Sequence, residues 1–273
     1  MTTEKLDLTY SDDKIREFIE EAVAQKGTEH RPRFYAVTGS HIYGFESADS
    51  DIDIRGIHAA PAQEYAYLQT PAEEVTANMD GTTEGFEEYA EVDLRSYELK
   101  KFGSLLAKAN YNVIELVFEA PTVMNGMPLE MDALQELVRD FLPMNVPHAY
   151  LGMAKSNYYK HLDPEKTEGY DPRPKKFLYV YRGLLGAQYV ITYEDIEADI
   201  HRLAETVDGG DPELVDDLVA HKRDGDGQTV PDDLEERARS AITSQFNALD
   251  ELPEPDKSGY REAIDDWMRK VRT

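Results

Sequence analysis

Thr38–Gly56, TGSHIYGFESADSDIDIRG, decides how the chain is read. Before it, Arg33–Thr38 (RFYAVT) is short and rich in strand formers, and it stops at Gly39-Ser40, as a buried strand feeding a tight turn does. A short helical turn is expected next. Asp51–Ile57 (DIDIRGI) then alternates polar and apolar residues and predicts a second strand. On a strand, residues two apart project from one face with Cβ atoms roughly 6.5 to 7 Å apart, so Asp51 and Asp53 can reach cations lying between them. Two magnesium ions roughly 4 Å apart are clamped by such a pair. One would lower the pKa of an attacking hydroxyl, and the other would neutralise a triphosphate and its leaving pyrophosphate.

Phosphates need a different device. Gly39 lets backbone N–H groups approach an anion, the Ser40 hydroxyl adds a donor, the dipole of the following helix helps, and Gly44 completes the turn. Ser50 caps or orients the strand end. Arg55 alternates onto the carboxylate face, where neutralising phosphate and pairing with an acid are equally open. A two-metal cage takes a third acid from elsewhere in the sheet. Asp93 is the expected one, in the alternating stretch Glu88–Leu94 (EYAEVDL); Glu91 shares its face and is the alternative.

Working outward, Ser11 with Asp12 and Asp13 marks a helix start, and Ile15, Phe18, Ile19 and Ala22 form one stripe. Asp80-Gly81 reads as a turn. Leu99, Phe102, Leu106 and Ala109 predict a helix, and Asn112–Phe118 (NVIELVF) a strand closing the sheet. From about Pro128 onward helical stripes take over. Pro147 and Pro174 suit first helical turns, Asp211-Pro212 a cap and first residue, and Trp267 a last helix over Tyr260–Val271. Val207–Asp233, rich in Gly and Asp, reads as a mobile, solvated connection around one short helix. The expectation is an α/β (α+β) domain with a small mixed sheet over residues 1–125, then an all-helical domain over 126–273 that supplies the substrate or acceptor side.

These residues resemble the DNA polymerase β-type nucleotidyltransferase superfamily, whose pattern is Gly-Ser, a short helical turn, Asp-x-Asp and a later strand acid. GSHIYG, SDIDIRG, VDLRSYELKKF and NVIELVF together resemble its RNA-repair-pathway branch over residues 34–120, with a weaker match at KKFLYVYRGLL. The resemblance implies transfer of a nucleoside monophosphate from a triphosphate, expected to be ATP, with Mg2+ or Mn2+ held by Asp51, Asp53 and Asp93. The acceptor, an RNA end, a protein hydroxyl or a small molecule, stays open, as do the base preference and the oligomeric state. Two positions depart from the pattern. His41 stands where Arg is frequent, which bears on phosphate affinity, and Asn110-Tyr111-Asn112 replaces Asn-Pro-Asn, which bears on a turn.

Composition narrows the alternatives. Among 273 residues there is no cysteine, which removes disulfides, thiolate nucleophiles and cysteine-bound zinc, so any metal sits among oxygen or imidazole donors. No run of eighteen apolar residues and no leader pattern is present, predicting a soluble, cytoplasmic protein without membrane partners. Fifty-five Asp and Glu against 29 Lys and Arg give a net charge of −26 spread along the chain. In molar salt the Debye length falls to roughly 3 Å, which screens such self-repulsion, so a salt-rich, halophile-like cytoplasm fits. Against that background Lys175, Lys176, Tyr179 and Arg182 gather positive charge on one helix face; Lys176 and Arg182 are expected to line a triphosphate or acceptor, with Arg182 as a bridge between domains the alternative. His41 reads as a loop histidine, Tyr43 as packing, and Tyr150, Tyr158 and Tyr159 as helix packing rather than base stacking. Asp-x-Asp alone would read as a solvated edge; its company makes it a metal site. A non-catalytic nucleotide-binding or antitoxin-like module is the main rival, and a two-metal phosphodiesterase, with its ligand-spaced histidines, finds no support in seven scattered ones.

Overall fold

The computed structural model describes residues 13–27, 29–47, 50–87, 89–165, 170, 172–225, 227–252, 254–255 and 260–272. Two compact units make up the chain. One comprises Met1–Ile42, Asp49–Val138 and Ser258–Thr273, the other Tyr43–Ala48 and Arg139–Lys257.

In the first unit, helix α1 (Asp13–Ala24) buries Ile15, Phe18, Ile19, Ala22 and Val23, the stripe its 3.6-residue period dictates. The expected start at Ser11 and Asp12 lies outside the described residues. Strands β1 (Arg31–Thr38), β2 (Ile52–Ala59), β3 (Glu74–Asp80), β4 (Glu91–Glu98) and β5 (Thr122–Asn125) form one mixed sheet in the order β3-β4-β2-β1-β5. β2 and β4 run parallel, and the other neighbours are antiparallel. One face of this sheet buries Tyr35, Val37, Ile52, Ile54, Val92 and Leu94 against α1. Each such side chain contributes about 1.5 to 3 kcal/mol when fully buried, so the apolar face fixes the register. Alternation then leaves Thr38, Asp53, Arg55 and Asp93 no choice but the opposite face.

Several sequence expectations are corrected. NVIELVF is not a strand: helix α4 (Tyr111–Phe118), after α3 (Leu99–Leu106), occupies it, with Asn110 Oδ1 accepting from the Val113 N–H at 3.4 Å as its cap. Val113, Ile114, Leu116 and Val117 are all buried, and an unbroken apolar run fits a strand or an enclosed helix equally well. β5 flanks β1 in its place. Ala109 does not continue α3 but sits beyond it at φ +51°. β4 begins at Glu91, whereas Glu88, the expected first residue, lies outside the described set. β3 has no counterpart in the sequence reading. Its single buried residue, Val75, gives too little contrast for a period to show.

The first unit also takes in the end of the chain. Helix α11 (Tyr260–Arg272) sets Trp267 against Phe102, ring centroids 5.9 Å apart, and the Trp267 indole N–H donates to the Glu130 carbonyl at 2.5 Å on α5 (Pro128–Arg139). Arg272 meets Glu98 at 2.9 Å, and Glu98 is 1% exposed. The division therefore falls at residues 138/139, compared with the expected 125/126, and the last helix departs from the helical remainder.

Among its described residues the second unit holds helices and the chain that joins them, with no strand. α6 (Leu142–Asn157) packs along α7 (Pro174–Tyr193), joined by α8 (Ile200–Thr206), α9 (Pro212–Asp224) and α10 (Asp232–Ala248). Pro174 opens α7 and Pro212 opens α9 behind its Asp211 cap, as read from sequence. Pro147, in contrast, lies inside α6, where Pro143 fills the first turn. The acidic stretch after Val207 is more ordered than its composition implies: α9 runs thirteen residues and buries Leu214, Val215, Leu218, Val219 and Lys222. Among the described residues no helix is long and apolar enough to cross a membrane.

Candidate active site

At the end of β1 the chain turns sharply through Gly39, at φ +73°, directly into α2 (Ser40–Tyr43). A side chain is excluded there twice over. Left-handed backbone costs an L-residue roughly 1–2 kcal/mol, and a Cβ on Gly39 would lie 2.1 Å from Asp53 Oδ2. The glycine therefore lets the backbone of the turn come close to a carboxylate. Thr38 reinforces the arrangement as the β1 partner of Asp53, its hydroxyl donating to the Asp53 carbonyl at 3.3 Å. Because α2 is a single turn, its dipole is small, and the N–H groups around Gly39-Ser40 matter more than the helix behind them.

Across the sheet the parallel pairing puts Asp53 opposite Asp93, and Arg55 opposite Arg95. Asp53 is half-buried, whereas Asp93 and Asp51 are exposed, Asp51 lying one residue before β2. Burial raises the Asp53 pKa above its ordinary value; Arg55 works against this, Asp93 and Asp51 add to it, and His41 lowers it. Asp53 is thus a half-buried carboxyl with Arg55 as its main neighbouring cation and two further acids beside it, a set of hard oxygen donors. Glu91, the alternative third acid, accepts from the Asn78 amide at 3.0 Å and pairs across the strand with Asp80. The donor set fits magnesium or manganese in kind, all carboxylate oxygen. Among the described residues, though, no three His, Asp or Glu side chains lie close enough together to hold a metal ion. The sheet aligns the acids, and side-chain rotation would have to complete the cage.

Arg55 has a partner the sequence reading missed. Its Nη1 donates to Asn112 Oδ1 at 2.5 Å, so α4 steers the guanidinium over the carboxylate face. Asn110-Tyr111-Asn112 therefore does more than shape a turn: its first residue caps α4 and its third aims Arg55. His41 behaves as a loop residue, its Nε2 lying 3.2 Å from the Asp51 carbonyl oxygen. Gly39, Ser40, Asp51, Asp53, Arg55 and Asp93 accordingly belong to one region of the first unit. Lys176 and Arg182 belong to α7 in the second. Lys176 is half-buried, while Arg182 is fully enclosed, its guanidinium carbon 3.7 Å from the centroid of the Tyr43 ring, and so is not offered to a ligand here.

This pattern has known relatives. The family model described as RlaP, RNA repair pathway DNA polymerase beta family, matches residues 13–270. The chain belongs to that family. Membership carries with it the polymerase β-like fold, and the five-stranded mixed sheet found here agrees with it. An uncharacterized protein of Bacillus subtilis (strain 168), YcgL, is 25% identical over 216 residues, covering 78% of this chain and 75% of that one. A crystal structure of a nucleotidyltransferase-like protein from Exiguobacterium sibiricum 255-15 aligns over 93% of this chain and 73% of its own, at 11% identity and a TM-score of 0.29, too low to bear on the assignment.

Proposed function

We propose that this protein transfers a nucleoside monophosphate from a nucleoside triphosphate, ATP by expectation, to a hydroxyl acceptor, with an RNA end as the first choice. Asp51, Asp53 and Asp93 would hold Mg2+ or Mn2+, which when bound supplies Lewis-acid activation of the acceptor oxygen and neutralises the leaving pyrophosphate. The turn N–H groups at Gly39-Ser40 and the Ser40 hydroxyl receive phosphate oxygens, and Arg55, held by Asn112, balances charge on the same face. Lys176 of α7 would contribute positive charge towards an anionic ligand, and the helical unit, Arg139–Lys257, would serve the acceptor. The single observation that carries the reading is Asp53 set between Gly39 and Asp93, with its pKa pushed up by burial and neighbouring acids.

A non-catalytic nucleotide-binding or antitoxin-like module is the second reading. One observation favours it: the acids are aligned but no three are gathered. Incubation with each of the four α-labelled triphosphates, total RNA and total protein, at high potassium with Mg2+ or Mn2+, separates the two. Label joined to one fraction with release of pyrophosphate supports the enzyme. Saturable binding without pyrophosphate release supports the module and refutes transfer.

A further inference from the structure

Between the Gly39-Ser40 turn and the acids lies Tyr43–Ser47 (YGFES), which the chemistry above leaves without a task. It belongs to the helical unit rather than to the sheet it interrupts. We infer that this segment is a strap whose position is set by Arg182, His201, Lys222 and Arg223, and that these four are positioning residues for Ser40 and Asp51; the inference rests on the reading of those two as site residues.

Every described residue of the strap is held. Tyr43 lies under the Arg182 guanidinium at 3.7 Å, with Arg182 itself 0% exposed. Gly44, at φ +79°, accepts from the His201 Nε2–H at 3.0 Å, and a Cβ there would come within 2.8 Å of Asp199 Oδ2, the cap of α8. Phe45 is 0% exposed and packs edge-on against Tyr179 of α7, centroids 5.4 Å apart. The Glu46 carbonyl accepts from Arg223 Nε at 3.0 Å, and its carboxylate faces Arg223 Nη2 at 3.4 Å. Ser47 Oγ accepts from Lys222 Nζ at 3.0 Å, and Lys222 is only 2% exposed.

The choice of groups is informative. Burying an ammonium and a guanidinium is unfavourable unless fixed partners compensate, and packing alone would fasten five residues with apolar side chains. Fixed polar anchors instead give the strap one position. Ser40 and Tyr43 share the single turn of α2, and Asp51 follows Ser47 by four residues, a reach of at most about 14 Å. A displacement of Tyr43 therefore carries the phosphate-holding hydroxyl with it, and a displacement of Ser47 pulls on the chain that leads to the first acid. A misplacement of about 1 Å can lower a rate on the order of a hundredfold.

The test uses the full chain and the double variant Lys222→Met, Arg223→Ala. Peptide-level hydrogen exchange over residues 39–47 is expected to quicken about tenfold or more, as local opening is released. The rate of label transfer at saturating triphosphate should fall about tenfold or more. Because partial unfolding would also lower the rate at unchanged KM, the rate is taken per folded molecule, counted from the thermal melt, and it should still fall more than triphosphate KM moves. Should Lys222→Met unfold the helical unit, Arg223→Ala with Glu46→Ala removes a pair that is 49% and 37% exposed and serves in its place. Unchanged exchange, or faster exchange with an unchanged transfer rate, overturns the inference while leaving the proposed function intact. A wild type that transfers no label overturns the reading beneath it instead.

Discussion

Replacing Gly39 by alanine tests how the turn and the acid fit together. At φ +73° the substitution forces an L-residue into left-handed backbone, worth roughly 1–2 kcal/mol. The new Cβ would start 2.1 Å from Asp53 Oδ2, whereas ordinary contact begins at 3.4 Å, so the carboxylate must retreat by the difference, about 1.3 Å. A shift of that size at a metal-facing oxygen is expected to lower transfer on the order of a hundredfold. The backbone strain alone should lower the melting temperature by roughly 2–8 °C, taking about 2–4 °C per kcal/mol for a body of 150–250 residues. Gly152→Ala is the matched control. It lies inside α6 with nothing within 4 Å, so alanine should stabilise by roughly 0.5–1 kcal/mol and leave transfer alone. Thermal melts and initial rates on the two variants decide the matter. A Gly39→Ala protein that melts with the wild type and transfers at its rate would refute the packing of Asp53 against the turn.

Three further outcomes follow from the same geometry. Asp53 keeps its proton more tightly folded than unfolded, so its contribution is present at low pH and is lost as pH rises through the folded value; Asp53→Asn should raise stability at neutral pH, by denaturant melts, while abolishing transfer. His58 is 0% exposed, bonded through Nδ1 to Ser96 Oγ at 2.8 Å, and burial drives its pKa down to about 4 from 6.5. The unfolded chain then binds the extra proton, so stability is lost as pH falls from 6.5 towards 4, by about 3 kcal/mol at about 1.4 per unit, and His58→Gln should flatten that limb. Glu98, although burial alone would raise its pKa, is held low by Tyr65, the Lys100 N–H and Arg272; Arg272→Ala leaves that acid buried without its cation and should cost about 3–5 kcal/mol in urea unfolding.

The parts legible in the sequence were those in which a period or a short motif carries the physics. The α1 stripe and the β2 alternation over Ile52–Arg55 read directly, because each has one buried and one more open face, and β1 reads as a short buried strand from its strand formers before Gly39. α4 was not legible as a helix, since all its sides are enclosed and its apolar run has no period to display. β3 failed for the opposite reason, with one buried side chain in seven residues. At the candidate site, spacing singles out Asp51, Asp53, Asp93, Gly39 and Ser40, and the sheet sets Asp53 beside Gly39 and opposite Asp93. The Asn112 contact to Arg55 spans 57 positions, and the Lys222 contact to Ser47 spans 175; no local pattern records either.

The central claim is that Asp53 and Asp93, paired across β2 and β4, hold divalent cations on one sheet face. Titration of Mn2+ into the wild type, Asp53→Asn and Asp93→Asn, followed by electron paramagnetic resonance with and without a non-hydrolysable triphosphate, addresses it without relying on turnover. The account predicts Mn2+ binding that the triphosphate strengthens in the wild type and that each substitution weakens at least tenfold, the scale set by losing one charged ligand. Equal Mn2+ affinity in all three proteins would contradict it.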